Sequence, residues 1–193
     1  PFTVLVVFNM ASGFRRKNPV ASIAAFRRAF GDDPGAHLIV KMLNPEVAPA
    51  GAAEIRRLAS GSSNVEVDER NLSEAEMRNL YARADAILSL HRSEGFGLVV
   101  AEGMLAARPV VATDWSGSAD FLTAATGMPV PYRLVPANDP GGEYHNPASV
   151  WADPDVDAAA DCLRRLRADP DLRQRLGAAA RAEASRLFAS DRH

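Results

Sequence analysis

Two glutamates separated by seven residues, Glu94 and Glu102, enclose a Gly-Phe-Gly turn in the stretch HRSEGFGLVVAE from His91 to Glu102. Carboxylates accept hydrogen bonds from hydroxyls, and Gly95 and Gly97 let a backbone turn tightly and come close to a ligand. The stretch follows one apolar run, Ala86 to Leu90, and opens into another, Leu98 to Ala107. That pattern predicts a strand, a glycine turn carrying Phe96 at its tip, and a helix. Unpaired N–H groups at the start of such a helix, from Leu98 onward, attract an anion.

A second cluster lies in NMASGFRRKNP, from Asn9 to Pro19. Ser12 and Gly13 supply turn chemistry, and Arg15, Arg16 and Lys17 place three positive charges just before a helix start. In a chain of net charge −2 this is a local anion-attracting spot. Alone it reads as a solvated basic loop; beside the Glu94 turn it reads as a phosphate site. An anion below two hydroxyl-reading carboxylates has the outline of a sugar nucleotide.

Other polar features have plainer readings. Neutral His91 reads either as a satisfied structural residue or as a wall of the same pocket, and not as a base. Asp68 to Leu72 forms either a binding loop or an acidic surface turn, and the loop Trp115 to Ser118 falls on the same sheet edge. The alternating carboxylates of Asp153, Asp155 and Asp157 are explained by Asp153 as an N-cap, Pro154 at the first helical position and acids in the first turn. No metal is assigned. Trp151 is expected to anchor the terminal helices and Cys162 to fill core.

The elements that must position these residues alternate along the chain. Strands are predicted at Thr3–Phe8, Ala36–Met42, Asn64–Val67, Ala86–Leu90 and Pro109–Thr113, with an edge strand at Met128–Val135. Helices are predicted at Val20–Phe30, with Asn18 as N-cap and Pro19 at N1, and at Gly51–Ser60. A third ends at Arg83 behind a Ser73/Glu76 capping box; others follow at Leu98–Ala107 and, shorter, Gly117–Ala124. Pro136 to Pro147 is the longest loop, and Val156 to Phe188 makes two helices broken near Asp169-Pro170. This is an α/β chain with a parallel sheet and helices on both faces.

At 193 residues there is room for one domain. Twenty-two basic against 24 acidic residues give no reason to expect nucleic acid as a partner. The single cysteine favours a reducing compartment, and neither a membrane-spanning run nor a signal peptide is visible. The expectation is a soluble, cytoplasmic chain. It opens on Pro1 directly before a strand and is expected to be cut from something longer.

The Glu94 and Glu102 spacing, with EGFG between them, an AEGM-type helix and the following ARPVVAT strand, resembles the E-x7-E signature of the retaining glycosyltransferases of family 4. The resemblance covers essentially the whole chain. It implies the donor-binding C-terminal half of a two-domain GT-B fold, a Rossmann-like sheet spanning residues 1–193. It also implies transfer of a hexosyl group from a nucleoside diphosphate sugar, such as a UDP-, GDP- or ADP-sugar, to an acceptor hydroxyl with retention. No cofactor is implied. A glycan, lipid-linked or small-molecule acceptor would meet the donor through an absent N-terminal domain, in a protein peripheral at most to the inner membrane face.

By the same resemblance Lys17 and Glu94 are catalytic, Lys17 on the diphosphate and Glu94 on the donor sugar, while Glu102 takes the ribose hydroxyls. Ser12, Gly13, Arg16, His91, Gly95, Phe96, Gly97 and Leu98 complete the donor site. Relatives often carry a Gly-Arg pair where this chain has Met10-Ala11, so one phosphate contact is missing or passes to Arg15 or Arg16. A sugar-nucleotide epimerase of the same architecture and a non-enzymatic nucleotide-binding α/β module stay open as alternatives.

Overall fold

A computed structural model describes residues 1–137, 139, 146 and 148–188. Six strands form one sheet: β1 (Phe2–Asn9), β2 (Ala36–Leu43), β3 (Val65–Asp68), β4 (Ala86–Ser89), β5 (Val110–Thr113) and β6 (Met128–Val130). Their order is β3-β2-β1-β4-β5-β6, and every pairing is parallel. Successive side chains of a strand point to opposite faces. In central β1, Val4, Val6 and Phe8 therefore join one core while Leu5 and Val7 join a second one behind the sheet.

Helices cover both faces, as the alternation predicts. On the first lie α1 (Phe14–Lys17), α2 (Pro19–Phe30), α3 (Pro49–Ala59) and, further along the chain, α6 (Val156–Ala168). Phe26, Ile55 and Leu163 are their buried contributions. The second face carries α4 (Glu74–Arg83) and α5 (Leu98–Leu105), with Leu80 and Met104 buried. The last helix, α7 (Pro170–Phe188), reaches both cores, with Leu176 in the first and Ala180 and Ala184 in the second. Among the described residues no helix is long and apolar enough to cross a membrane.

The order of strands places the site. From β1 the chain steps outward through β2 and β3, then returns to β4 beside β1 and steps the other way. The loops after β1 and β4 leave neighbouring strands in opposite directions and open a crevice at their carboxyl ends.

Several local expectations change. Residues 14–17, read as loop, form a helical turn that ends at Asn18, whose backbone is left-handed (φ 52°). The Asn18 side chain does not cap α2; its amide donates to the Leu90 carbonyl (3.0 Å) and ties the β1 loop to β4. The predicted strand Met128–Val135 breaks at Pro131, which lacks the N–H a sheet needs. Beyond the break, β7 (Tyr132–Pro136) pairs antiparallel with β8 (Val150–Pro154).

Asp155 rather than Asp153 caps α6, accepting from the Ala158 N–H (2.9 Å), because the strand β8 runs through Pro154. Asp153 instead meets Arg133 across β7 and β8 (3.1 Å). Trp151 is buried in β8 under the Arg92 guanidinium (5.7 Å to the ring centre). The short helix predicted at Gly117–Ala124 is a 3-10 turn over Ser116–Asp120. Most of the loop predicted at Pro136–Pro147 lies outside the described residues. The Ser73/Glu76 capping box is present with both of its bonds, and α6 and α7 meet at Asp169.

Helices α5 and α7 approach so closely that a Cβ on Gly177 would fall 2.3 Å from the Ala107 carbonyl oxygen. Backbone cannot yield as a side-chain tip can. Gly177→Ala is therefore expected to cost about 1–3 kcal/mol through overpacking, lowering the thermal midpoint by several degrees in calorimetry. An unchanged midpoint would contradict this close packing.

Candidate functional site

The turn before α5 depends on one glycine. Gly97 stands at the N-cap with φ 96°, and a Cβ there would also fall 2.8 Å from the Ser118 Cβ. Gly95 differs from expectation, since a Cβ added to it would meet nothing within 4 Å. The close backbone approach at Gly95 is made from the other side. A Cβ on Gly117 would fall 2.2 Å from the Gly95 carbonyl oxygen, so only glycine lets the loop after β5 lie against this turn.

That loop holds the turn in place. The Glu94 N–H donates to Ser116 Oγ (2.8 Å), and the Gly117 N–H donates to the Glu94 carbonyl (3.0 Å). His91 Nε2 shares a hydrogen bond with Ser118 Oγ (2.9 Å). Sequence reasoning placed Trp115–Ser118 at this edge but did not see Ser116, Gly117 and Ser118 as the scaffold of Glu94. Phe96, at the tip of the turn, packs against Phe121 (5.5 Å) and Phe188 (5.4 Å), fastening the turn to the end of α7.

The basic loop after β1 reaches across to the same place. Arg16 donates to the carbonyls of Ser12 (2.6 Å) and Ser93 (2.7 Å) and lies 3.3 Å from Glu94 Oε2. Lys17 Nζ donates to Glu94 Oε1. This pair is largely enclosed, with side chains 15% and 9% exposed for Lys17 and Glu94. Arg15 is exposed and offers its carbonyl to Arg92 (2.9 Å). Gly13, at φ 84°, opens α1 and turns Arg16 and Lys17 inward.

Glu102 lies just over one turn into α5 on its exposed side, not within apolar packing as its neighbours in sequence suggest. Its carboxylate accepts from the Tyr81 hydroxyl (2.7 Å). Burial of Tyr81, and then the Glu102 charge, push that phenol well above its ordinary range. His91 is fully buried and its Nδ1 has no hydrogen-bond partner among the described residues. Burial is the main cause that lowers its pKa to about 4; Glu94 opposes the shift while Lys17 and Arg16 add to it.

A cleft of about 980 Å³ opens at this edge. Ser12, Lys17, Leu98 and Glu102 line it, and Leu72 and Tyr81 form another part of its wall. Gly13, Arg16, His91 and the turn from Glu94 to Gly97 lie outside its lining. Leu72 is held in place from below. Buried Lys41 donates to the Asp68 carboxylate and carbonyl (both 3.2 Å) and to the Arg70 carbonyl. Arg70 is the chief cause that holds the Asp68 carboxyl below the usual carboxylate range. Lys41 was not singled out from the sequence, although a lysine inside AHLIVKML must have partners if the strand is buried. Among the described residues no group of three or more His, Cys, Asp or Glu stands where it could hold a metal ion.

A family model described as family 4 glycosyltransferase in conflict systems matches residues 3–187. No curated protein matches significantly. Among solved structures the chain is similar to sucrose-phosphate synthase from Thermosynechococcus elongatus, with TM-score 0.73 and 24% identity over 96% of this chain and 41% of that one. It is similar to HepE of Anabaena in complex with UDP-glucose, with TM-score 0.73 and 17% identity over 97% and 44% of the two chains. The C-terminal domain of a group 1 glycosyl transferase from Francisella tularensis gives TM-score 0.69 and 16% identity, over 97% of this chain and 86% of that one. The chain thus spans less than half of the synthase and of HepE, and most of the isolated domain.

The buried imidazole makes stability depend on pH. His91 takes up a proton near its ordinary 6.5 when unfolded but near 4 when folded. Between these values the unfolded chain binds more protons, so stability is full above about pH 6.5 and falls as pH drops toward 4. The slope approaches about 1.4 kcal/mol per pH unit and the total is on the order of 3 kcal/mol. Urea midpoints measured from pH 7 to 4.5 should fall less for His91→Gln, which keeps a donor toward Ser118. Parallel profiles would show that His91 does not carry the pH dependence.

Proposed function

We propose a donor-binding role for this chain, which belongs to the family 4 glycosyltransferases of conflict systems. The crevice at the carboxyl ends of β1 and β4 binds a nucleoside diphosphate sugar, and the reaction served is transfer of its hexosyl group to an acceptor hydroxyl with retention. The observation that carries this reading is the meeting of Lys17 with Glu94. Two loops 77 residues apart in sequence bring a cation and a carboxylate together beside the start of α5, and Glu102 faces the adjoining cleft.

Each residue then has a task set by its chemistry. Lys17 and the free N–H groups after Gly97 stabilise the negative charge that develops on the departing diphosphate. Glu94 accepts hydrogen bonds from hydroxyls of the donor sugar, and Glu102, steadied by Tyr81, from those of the ribose. Arg16 supports this arrangement from within the loop, since its guanidinium is engaged by two carbonyls. The leaving phosphate itself accepts the proton of the acceptor, so no side chain is assigned as a base. HepE with UDP-glucose, a neighbour in fold, supports a nucleotide sugar as the ligand class. The family match disfavours the epimerase and the non-enzymatic module.

Lys17→Ala should weaken nucleoside diphosphate binding roughly tenfold to hundredfold at low salt while leaving nucleoside binding little changed, since a charge-assisted contact contributes about 1.5–3 kcal/mol. Glu102→Gln should weaken the diphosphate and its sugar alike. Calorimetric titration with UDP, GDP, ADP and their glucose derivatives checks both and identifies the base. Equal losses of nucleoside and diphosphate in Lys17→Ala would place Lys17 away from the phosphates.

We also propose that the acceptor and the groups that close the cleft come from a second domain, as the share of longer relatives covered by this chain suggests. The 193-residue chain should then bind donor but transfer nothing when incubated with labelled nucleotide sugars and a panel of glycosyl acceptors. Robust transfer by this chain alone would overturn the division of labour.

A further inference from the structure

Two of the three cations of the basic loop, Arg16 and Lys17, are not free to receive a phosphate. Lys17 Nζ already donates to Glu94 Oε1, and Arg16 lies 3.3 Å from Glu94 Oε2. Arg16 is also pinned by the carbonyls of Ser12 and Ser93, so of the two only Lys17 can turn toward a ligand without dismantling the loop. Lys17 lines the cleft while Glu94 stands behind it.

The pair leaves little space for a third charged group. With side chains only 15% and 9% exposed, a diphosphate bound to Lys17 while Glu94 keeps its contact would set like charges together in a poorly solvated place. One anion must therefore leave when the other arrives. A carboxylate displaced from Lys17 stays near the site, because Ser116 and Gly117 hold the Glu94 backbone in place. Oε1 then lacks a donor, while Arg16 stays beside Oε2, and an intact sugar nucleotide supplies that donor as a sugar hydroxyl. A bare diphosphate does not.

We propose that Glu94 is the resident counter-ion of the phosphate site, exchanged for the diphosphate when a sugar nucleotide binds and stranded when the bare diphosphate binds. The site thereby selects the intact donor over the product that transfer leaves behind, and product release is coupled to the return of Glu94 to Lys17. This rests on the donor-site reading above and adds a direction to it.

The test is the ratio of two affinities in Glu94→Gln. Removing the carboxylate charge should tighten inorganic pyrophosphate and the nucleoside diphosphate about tenfold, the lower end of what a charge-assisted contact is worth. The corresponding sugar nucleotide should not tighten, so the preference for intact donor should shrink by roughly that factor or reverse. Glu94→Asp keeps the charge but retracts it by one methylene, and should shift the ratio the same way by less, which covers a failure of the glutamine variant to fold. A melting temperature recorded for each variant separates these shifts from instability. Unchanged or weaker diphosphate binding in both variants overturns the counter-ion proposal and leaves the donor site standing. Absence of nucleotide binding by the unaltered chain overturns the donor-site reading, and the proposal with it.

Discussion

The guanidinium of Arg16 joins the loops after β1 and β4 at their tips, beside the ties that Asn18 and Arg92 make between the same loops. It bonds the carbonyl of Ser12 on one side and that of Ser93 on the other, and the Arg92 N–H returns a bond to the Arg16 carbonyl (2.8 Å). Backbone groups outside a helix or strand must find partners somewhere. Here they find them across the crevice, and the bonds that satisfy the loops also fix the distance between Lys17 and Glu94. Without this strap the strands would still pair and Asn18 and Arg92 would still join the loops, but the Ser12 and Ser93 carbonyls would lose their shared donor.

A second set of bonds secures the turn from the opposite flank. The 3-10 turn after β5 lies against Gly95 with no room for a side chain at Gly117, and Ser116 and Ser118 bond Glu94 and His91. Ser116 pays a conformational cost for this, standing at φ 62° in a region that side chains rarely adopt. The turn is therefore clamped between loops of β1 and β5, and Phe96 is pressed onto α7 by Phe121 and Phe188. A site on loops is precise only when those loops are as constrained as a strand.

Local signals made the fold legible. Alternating apolar runs and helical periods located the strands and helices, the Ser73/Glu76 box marked the start of α4, and Asp169-Pro170 marked the break before α7. Tertiary pairing was not legible. Asn18 has the residue type of an N-cap, yet the Leu90 carbonyl across the sheet takes its amide. Glu102 sits among apolar neighbours in sequence, and only the rotation of α5 against α4 shows that its carboxylate faces out toward Tyr81. The composition of Asp153-Pro154-Asp155 fits a cap at either aspartate; the extension of β8 through Pro154 decides for the second.

The same distinction explains how the nearby buried charges differ. Lys41 and Asp68 are both buried; the lysine's remaining protons go to the Asp68 and Arg70 carbonyls, and the carboxylate accepts from the Arg70 N–H and guanidinium, so the pair shapes the loop that leads to Leu72. A buried ion pair is weak evidence for stability because desolvation offsets attraction; its consequence here is that the backbone after β3 is bonded to a buried side chain. Lys17 and Glu94 are enclosed less completely, and Lys17 faces the cleft. Their attraction is sustained only while nothing more negative than a carboxylate reaches the lysine. One pair is closed by backbone, and the other is open to exchange, which is the property that a site for a departing anion requires.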